Sequence, residues 1–255
     1  MKKSLLLILA VFAFTYANAQ GFRLGVKGGG NYSSLSGKDK DFAGIYIDDK
    51  AYFGQADYKF GYHVGLTSLY EFDDFWGIKI DALYTTKGFQ IEDKRGDTSP
   101  DNLGGTTEFQ VKRDLNYISV PILLNINAGG LFFELGPEVA YLTNSNSEIK
   151  TKRFKPNGDK LGDSDKTETI SAKGDLSSFD FGYVAGLGYM ADMGLGIGLR
   201  YNGGFKSIYD TKDMKNPNIR NSNFTLSLFY MFGGGGHGHG YASGGNTTKV
   251  KYKSE

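Results

Sequence analysis

One stretch decides the fold: Leu131-Phe-Phe-Glu-Leu-Gly-Pro-Glu-Val-Ala-Tyr141. Its odd positions are apolar and end in an aromatic ring, whereas its even positions include two carboxylates, Glu134 and Glu138, and two small residues. A repeat of two indicates a β-strand with two unlike faces. A soluble protein would bury the apolar face, but a membrane barrel would turn it toward lipid and keep the carboxylates inside. We expect the second arrangement.

The same alternation recurs in eight segments, each long enough to cross a bilayer as a tilted strand. The connections after the second, fourth and sixth segments are tight turns, and the connections after the other segments are long and polar. This layout is typical of outer-membrane barrels, with short periplasmic turns and long extracellular loops. The sequence therefore predicts an all-β fold, an eight-stranded antiparallel up-and-down transmembrane β-barrel. Its predicted strands cover residues 21–33, 59–72, 74–87, 112–127, 130–143, 178–192, 194–206 and 221–232.

Aromatic residues recur at the ends of the apolar faces, where rings at a membrane–water boundary are expected. Ile118, Ile122 and Ile126 share one such face, opposite Ser119 and Asn125. A soluble lipocalin-like barrel with an apolar interior is the alternative, but its outer surface would then consist largely of glycine and small residues. The predicted aromatic girdle comprises Trp76, Tyr84, Tyr141, Tyr189, Tyr201 and Phe232.

The opposite face of the strands collects ionisable residues and glycines. An eight-stranded barrel encloses only enough space for side chains, so long charged side chains need neighbours without bulk, such as Gly186 and Gly196. Because an unpaired buried charge is costly, we expect the cations and anions to pair and to leave no wide pore. The predicted lumen charge network comprises Arg23, Lys27, Glu71, Lys79, Asp81, Glu134, Glu138, Asp180 and Arg200.

Glu134 and Glu138 could be interpreted as a catalytic acid–base pair. They are four residues apart on one strand face, which separates them by roughly 13 Å. That spacing is too wide for a retaining pair of carboxylates. We therefore interpret both as ion-pair partners of Arg23, Lys27 or Arg200.

The two ends of the chain differ in composition from the barrel. Residues 1–19 combine two lysines, an apolar run and an Ala17-Asn-Ala19 cleavage pattern, which predicts a secretory signal peptide. Residues 20–232 form the predicted barrel, and the Gly/His-rich residues 233–255 predict a flexible periplasmic tail. The chain has no cysteine and nearly equal numbers of basic and acidic residues, 29 and 28. The absence of cysteine predicts no disulfide framework, and the balanced charge predicts no nucleic-acid partner. The signal peptide and the barrel pattern together predict an outer-membrane location surrounded by lipid.

The chain resembles the PorT-type outer-membrane β-barrel proteins, a porin family of Gram-negative bacteria. The resemblance is carried by Leu115-Asn-Tyr-Ile-Ser-Val-Pro-Ile-Leu-Leu124 and Gly136-Pro-Glu-Val-Ala140, with more generic matches at 17–20, 25–31, 180–188 and 199–201. It implies an eight-stranded barrel in the outer membrane and no shared reaction. The founding member is linked to type IX protein secretion, but no motif of this chain carries that role. The extension after the last predicted strand departs from the family pattern.

No set of residues predicts catalysis, a metal or a cofactor. His237 and His239 could supply two metal ligands, but a solvated linker is the simpler interpretation of this Gly-rich segment. His63 is expected inside the barrel as a hydrogen-bonded residue, and Ser68 and Ser119 have no evident general base. We expect a protein that is not an enzyme and needs no cofactor.

Two classes of function stay open. The first is a structural or interaction role in the cell envelope, in which extracellular loops or the tail contact partner proteins. The second is a narrow porin-like channel for small solutes, and an accessory part in protein secretion is a further alternative. The mixed-charge segments 92–113 and 150–166 are expected to be solvated loops that could bind a surface partner.

Overall fold

The computed structural model describes residues 21–40, 44–47, 50–53, 55–161, 166–171, 173, 176–210 and 218–232. The predicted signal peptide and the Gly/His-rich tail lie outside these residues. Within them, no helix is long and apolar enough to cross a bilayer. The described strands are β1 (Phe22–Ser36), β2 (Gly44–Ile47), β3 (Lys50–Phe53), β4 (Ala56–Asp57), β5 (Lys59–Glu71), β6 (Trp76–Gly96), β7 (Thr106–Ala128), β8 (Leu131–Phe154), β9 (Lys166–Ser171), β10 (Phe179–Met190), β11 (Leu195–Gly204) and β12 (Arg220–Met231).

Eight of these strands close into a ring of antiparallel pairs. Their order around the ring is β1, β5, β6, β7, β8, β10, β11 and β12, and β12 pairs again with β1. Gly25 lies opposite Met231 at the closing seam, so the first and last strands of the barrel are neighbours. The predicted eight-stranded barrel is confirmed, and the predicted ends of β1, β5, β10, β11 and β12 are correct to within three residues.

Tight turns join the strands at one end of the barrel. The Asp73 carboxylate accepts hydrogen bonds from the backbone amides of Phe75 and Trp76, at 2.8 and 2.7 Å, and so fixes the turn between β5 and β6. Gly129 and Gly130 join β7 to β8 with φ angles of 65° and 92°, which a two-residue hairpin turn requires and glycine adopts without strain. By the layout of outer-membrane barrels, this is the periplasmic end.

The strands turn their apolar faces outward and their polar faces inward, as predicted. Neighbouring residues of β7 illustrate it, because Ile122 is 45% exposed on the outside of the barrel and Leu123 is 0% exposed inside. Rings pair across strands at two levels on the outside, for example Tyr201 with Phe224 near the extracellular end. Trp76 and Tyr84 mark the two levels on β6 and are separated by about 26 Å of strand. This length is at the short end of what a tilted strand needs to cross the hydrocarbon core.

Three strands continue far beyond the extracellular aromatic level. β6, β7 and β8 stay paired up to Gly96, Thr106 and Phe154, and β9 adds to the outer half of β8. The expectation of loops was therefore wrong for residues 92–96, 106–113 and 150–154, which lie in paired strands. The connection between β6 and β7, residues 97–105, is also shorter than expected. We give the name extracellular extension to β9 together with the outer parts of three strands. These parts are residues 92–96 of β6, 106–111 of β7 and 146–154 of β8.

A β-bulge in β8 explains why its alternation is lost in the sequence. Asn116 lies opposite Asn144, but the next residue, Tyr117, lies opposite Leu142, so Thr143 is an extra residue in β8. Inward positions are even-numbered up to Leu142 and odd-numbered from Ser145. A single extra residue exchanges the two faces of a strand, which is why the predicted strand ended at residue 143.

Candidate functional site

The lower part of the lumen holds a connected group of ion pairs. Lys27 donates to the Asp81 carboxylate at 2.9 Å, and Arg200 donates to the same carboxylate at 2.6 Å. Arg200 also contacts Glu134, which accepts a further hydrogen bond from Lys79 at 2.9 Å. Arg200 therefore bridges two carboxylates from two different strands. All five side chains are buried.

The upper part of the lumen holds two further carboxylates. Glu138 accepts hydrogen bonds from Lys87 at 2.6 Å and from the Asn202 amide at 2.7 Å. Asp180 accepts a hydrogen bond from the Asn221 amide at 2.7 Å. These interactions join β6, β8, β10, β11 and β12 across the centre of the barrel.

The partners differ in part from those expected from the sequence. Arg23 pairs with Glu71 at 2.6 Å near the periplasmic rim, and both side chains are partly exposed. Glu138 pairs with Lys87 and not with one of the three cations proposed for it. Lys87 was missed because the predicted strand ended there, although it continues the inward odd-numbered positions of β6.

We call eight of the buried ionisable residues the lumen charge cluster. Within the cluster cations and anions are equal in number, so each charge has an opposite charge near it. A further buried cation, Arg113 of β7, donates to the Ser145 hydroxyl at 3.2 Å. Burying a charge costs several kcal/mol unless a partner compensates it, so each member depends on its neighbours. The members are Lys27, Lys79, Asp81, Lys87, Glu134, Glu138, Asp180 and Arg200.

Apolar side chains close the lumen below the charge cluster. The rings of Phe132 and Phe229 meet edge to face with centroids 5.8 Å apart, and Leu69 and Met231 are buried against them. The Lys79 ammonium lies 4.5 and 4.4 Å from the two ring centroids, within the range of a cation–π contact. We call Leu69, Phe132, Phe229 and Met231 the lower plug.

Glycines make space for the lower plug. A Cβ atom at Gly196 would lie 2.2 Å from the Phe229 ring, and one at Gly188 would lie 2.4 Å from the Phe132 ring. Both distances are far shorter than a van der Waals contact, so a larger residue would displace a ring. Gly188 and Gly196 are therefore explained by the packing of the lower plug.

A larger apolar group closes the lumen above the charge cluster. Its members come from the inner faces of β1, β6, β7 and β8 and from the loops that precede β10 and β12. Several of them, such as Phe89, Ile91 and Ile149, are buried although the sequence predicted long polar connections at these positions. We call this group the upper plug, and its members are Leu35, Phe89, Ile91, Val111, Leu115, Tyr117, Ala140, Leu142, Ile149, Leu176, Ile208, Tyr209 and Ile219.

A small polar chamber lies within the charge cluster. Its volume is about 10 Å³, at the lower limit for one water molecule. His63 lies in its wall, and its two ring nitrogens contact Asn31 at 2.7 Å and Ser227 at 2.8 Å. The Asn223 amide, which also lines the chamber, has no hydrogen-bond partner among the described protein atoms. A water molecule would satisfy such a group.

The extracellular extension has its own polar centre, which we call the loop clamp. Arg153 of β8 donates to Asp97 at 2.7 Å and to both oxygens of Asp101 at 2.9 and 3.1 Å. Asn102 and Ser99 also donate to Asp97. The Arg153 guanidinium, followed by the Ser99 hydroxyl, holds the pKa of the Asp97 carboxyl well below its usual range. The clamp ties the loop 97–105 to the top of β8.

The outer face of the extension is polar and has a shallow groove of about 230 Å³. Lys94 and Glu108 form an ion pair across it at 2.8 Å, and Gln110 donates to Glu92 at 3.0 Å. Among the described residues there is no group of three or more His, Asp or Glu side chains that could hold a metal ion. The extension thus offers a mixed-charge surface outside the membrane.

An apolar belt between two aromatic levels, paired charges inside and short turns at one end define a small transmembrane β-barrel. The chain belongs to the family described as outer membrane protein beta-barrel domain, whose model matches residues 18–210. The protein is therefore located in the outer membrane and is surrounded by its lipid, as predicted. The more specific PorT-type resemblance stays a prediction.

Solved structures of outer-membrane proteins are similar to this chain. Ail of Yersinia pestis, solved in complex with the heparin analogue sucrose octasulfate, is 16% identical, with 83% of this chain and 99% of that chain covered and a TM-score of 0.36. Neisserial surface protein A is 12% identical, with 82% and 96% covered and a TM-score of 0.34. OprG of Pseudomonas aeruginosa is 13% identical, with 84% and 97% covered and a TM-score of 0.31. No curated protein matches.

Proposed function

We propose that the protein is a closed outer-membrane barrel with an interaction role in the cell envelope, and that its extracellular extension is the contact surface. The observation that carries this proposal is the filled lumen, in which the lower plug, the charge cluster and the upper plug follow one another along the axis. A channel needs a continuous polar path, and two apolar plugs interrupt it. The barrel then serves as an anchor for what it carries outside the membrane.

The extension supports the second half of the proposal. Paired strands continue outside the membrane well beyond the length that the bilayer requires, and their ordered pairing holds a polar surface in a fixed position. The loop clamp fixes the tip of this surface through Arg153. We propose a protein partner from the envelope or the exterior, which binds without a cofactor and without a chemical reaction.

A planar-bilayer recording of the full-length protein tests the closed lumen. We expect no stable single-channel steps from the wild type. Steps in the wild type that change in size when Glu138 is replaced by Gln would contradict the proposal and support the narrow channel. The polar chamber beside His63 is the observation that favours this second candidate.

A photo-crosslinking residue tests the contact surface in intact cells. At Gln110, on the outer face of the extension, we expect a crosslink to a second protein. The matched control is the same residue at Leu228, which faces lipid and is exposed from the barrel wall. A crosslinked protein at Leu228 and none at Gln110 would contradict the extension as the contact surface.

Two observations support a protein without catalytic activity. His63 is buried between Asn31 and Ser227. It lies between the upper and lower plugs, where a substrate cannot reach it. The Ser68 hydroxyl lies on the lipid-facing side and donates a hydrogen bond to the backbone carbonyl of Ile80, which is not a general base. We therefore propose that the protein has no catalytic activity.

The domain boundaries and the secretion role remain proposals. We propose that residues 1–19 are a signal peptide, that residues 20–232 are the barrel and that residues 233–255 are a periplasmic tail. N-terminal sequencing of the protein from outer membranes should begin at Gln20, and a start at Met1 would contradict the cleavage. An accessory part in secretion rests on the PorT-type resemblance alone, and co-purification of a secretion component from outer membranes would support it.

A further inference from the structure

Two lysines lie at the extracellular aromatic level on one side of the barrel. The Lys173 ammonium donates to the backbone carbonyls of Leu142 and Thr143, both at 2.9 Å, directly beyond the outward-facing Tyr141. The Lys206 ammonium donates to the Ser177 hydroxyl at 2.8 Å. Both lysines are thus held at the tops of β8, β10 and β11, at the height where the membrane surface begins.

The same backbone interactions hold the two lysine-bearing segments close to one part of the wall. The Leu142 amide donates to the Ser178 carbonyl at 2.8 Å, and the Ser177 amide donates to the Ile208 carbonyl at 2.8 Å. The segment that carries Lys206 is therefore bound to the segment that follows Lys173. The two segments that carry these lysines are therefore neighbours at the extracellular end of β8, β10 and β11.

Exposed aromatic rings lie directly below these two segments. Tyr141 and Phe179 have ring centroids 5.2 Å apart, and the ring of Phe205 lies 5.3 Å from that of Tyr183. The Lys173 ammonium is 5.8 Å from the Tyr141 ring centroid. Rings of this kind occupy the boundary between acyl chains and headgroups, so the lysines above them are at headgroup height.

The charge of these two lysines is not compensated by the described residues. Both ammonium groups donate to neutral oxygens, and neither contacts a carboxylate in the part of the chain that the structure covers. Lys59, at a similar height on β5, is different because its ammonium contacts the Asp114 carboxylate. This side of the barrel therefore presents two ammonium groups that contact only neutral oxygens among the described residues.

We propose that this surface, at the outer-leaflet end of β8, β10 and β11, binds the phosphorylated headgroup of a membrane lipid through Lys173 and Lys206. A phosphate monoester offers oxygens to both ammonium groups, and the acyl chains lie along the aromatic wall below. Anionic headgroups attract cations held at the membrane surface. The lipid thereby adds a specific contact to the general lipid environment of the barrel.

The test uses full-length folded protein in a neutral detergent, titrated with dioleoyl phosphatidic acid and followed by native mass spectrometry. We expect Lys173→Gln/Lys206→Gln to weaken binding by roughly 30-fold, and Lys173→Arg/Lys206→Arg to retain it. The matched control is Lys94→Gln/Lys150→Gln, which removes the same charge from the extension and should change binding less than about twofold. The heat-shifted gel band of each variant reports whether it is folded.

Three results would overturn the proposal. One is equal binding of phosphatidic acid and phosphatidylcholine by the wild type. Another is an equal loss in the control variant, which would indicate attraction by the total charge and not by this surface. The third is binding of inorganic phosphate as tight as that of phosphatidic acid, which would identify a site for a free ion.

Discussion

Two lysine–glutamate pairs of this barrel have nearly the same geometry and different surroundings. Lys79 and Glu134 are 2.9 Å apart in the lumen with side chains 3% and 2% exposed, whereas Lys94 and Glu108 are 2.8 Å apart on the extension and 67% and 39% exposed. Distance therefore says little about the role of an ion pair. In the buried pair each charge would be uncompensated without its partner, which would strongly destabilise the fold. In the exposed pair each charge can be solvated by water instead, so the pair contributes little to stability.

The largest effect is expected where one buried cation serves two carboxylates. Replacing Arg200 by Met leaves part of the charge of Asp81 and Glu134 uncompensated, so the free energy of unfolding should fall by about 3–5 kcal/mol. Urea unfolding in lipid vesicles, followed by the gel mobility of the folded band, measures it. The control is Lys94→Met, and equal losses in the two variants would remove the distinction between lumen and extension.

A second effect should separate two glycines that the sequence does not distinguish. Gly196→Ala would place a methyl group against the Phe229 ring and should cost about 1–3 kcal/mol. Gly30→Ala places its methyl group in open space on the outside of β1 and should change stability by less than about 1 kcal/mol. The same unfolding measurement applies, and a larger loss at Gly30 would contradict the packing of the lower plug.

The two regions also differ in how well the sequence predicts them. Inside the membrane, lipid and lumen impose opposite polarity on alternate residues, so a period of two shows both the strands and the inward positions of Lys27 and Arg200. Above the aromatic level both faces meet water or protein, and the extension loses that period. The bulge at Thr143 removes it further. This is why residues 92–113 and 150–166 read as mixed-charge loops.

The partners within the lumen could not be predicted residue by residue. They depend on the stagger between strands, which brings Lys87 of β6 to Glu138 of β8 and places Arg23 beside Glu71 at the rim. The sequence shows which residues point inward but not their relative heights. The sequence does indicate that inward-facing cations and anions pair, because their numbers are nearly equal and an unpaired buried charge would destabilise the barrel.

A pH dependence is expected in the loop clamp. Because Arg153 lowers the pKa of Asp97 in the folded state, the clamp contributes fully above the unfolded carboxyl pKa of about 4 and is lost as the pH falls through the folded value. The protection factors of residues 97–105 against hydrogen exchange should therefore fall only in acid, and Arg153→Met should lower them at neutral pH. Unchanged protection in Arg153→Met would contradict the clamp.

The smallest effect is expected at the exposed pair itself. Lys94→Gln removes an ion pair that solvent already screens, so the free energy of unfolding should change by less than about 0.5 kcal/mol. Raising the salt concentration should abolish even this difference. A loss comparable to that of Arg200→Met would show that the extension contributes to stability as the lumen does.

The most direct test of the inverted barrel uses two neighbouring residues, Ile122 and Leu123. The chain has no cysteine, so Ile122→Cys and Leu123→Cys each provide a single site for a nitroxide label in folded protein in vesicles. Electron paramagnetic resonance should show that the label at 122 collides freely with oxygen dissolved in the lipid, while the label at 123 is immobile and shielded from it. A lipid-exposed label at 123 with a shielded label at 122 would contradict the account.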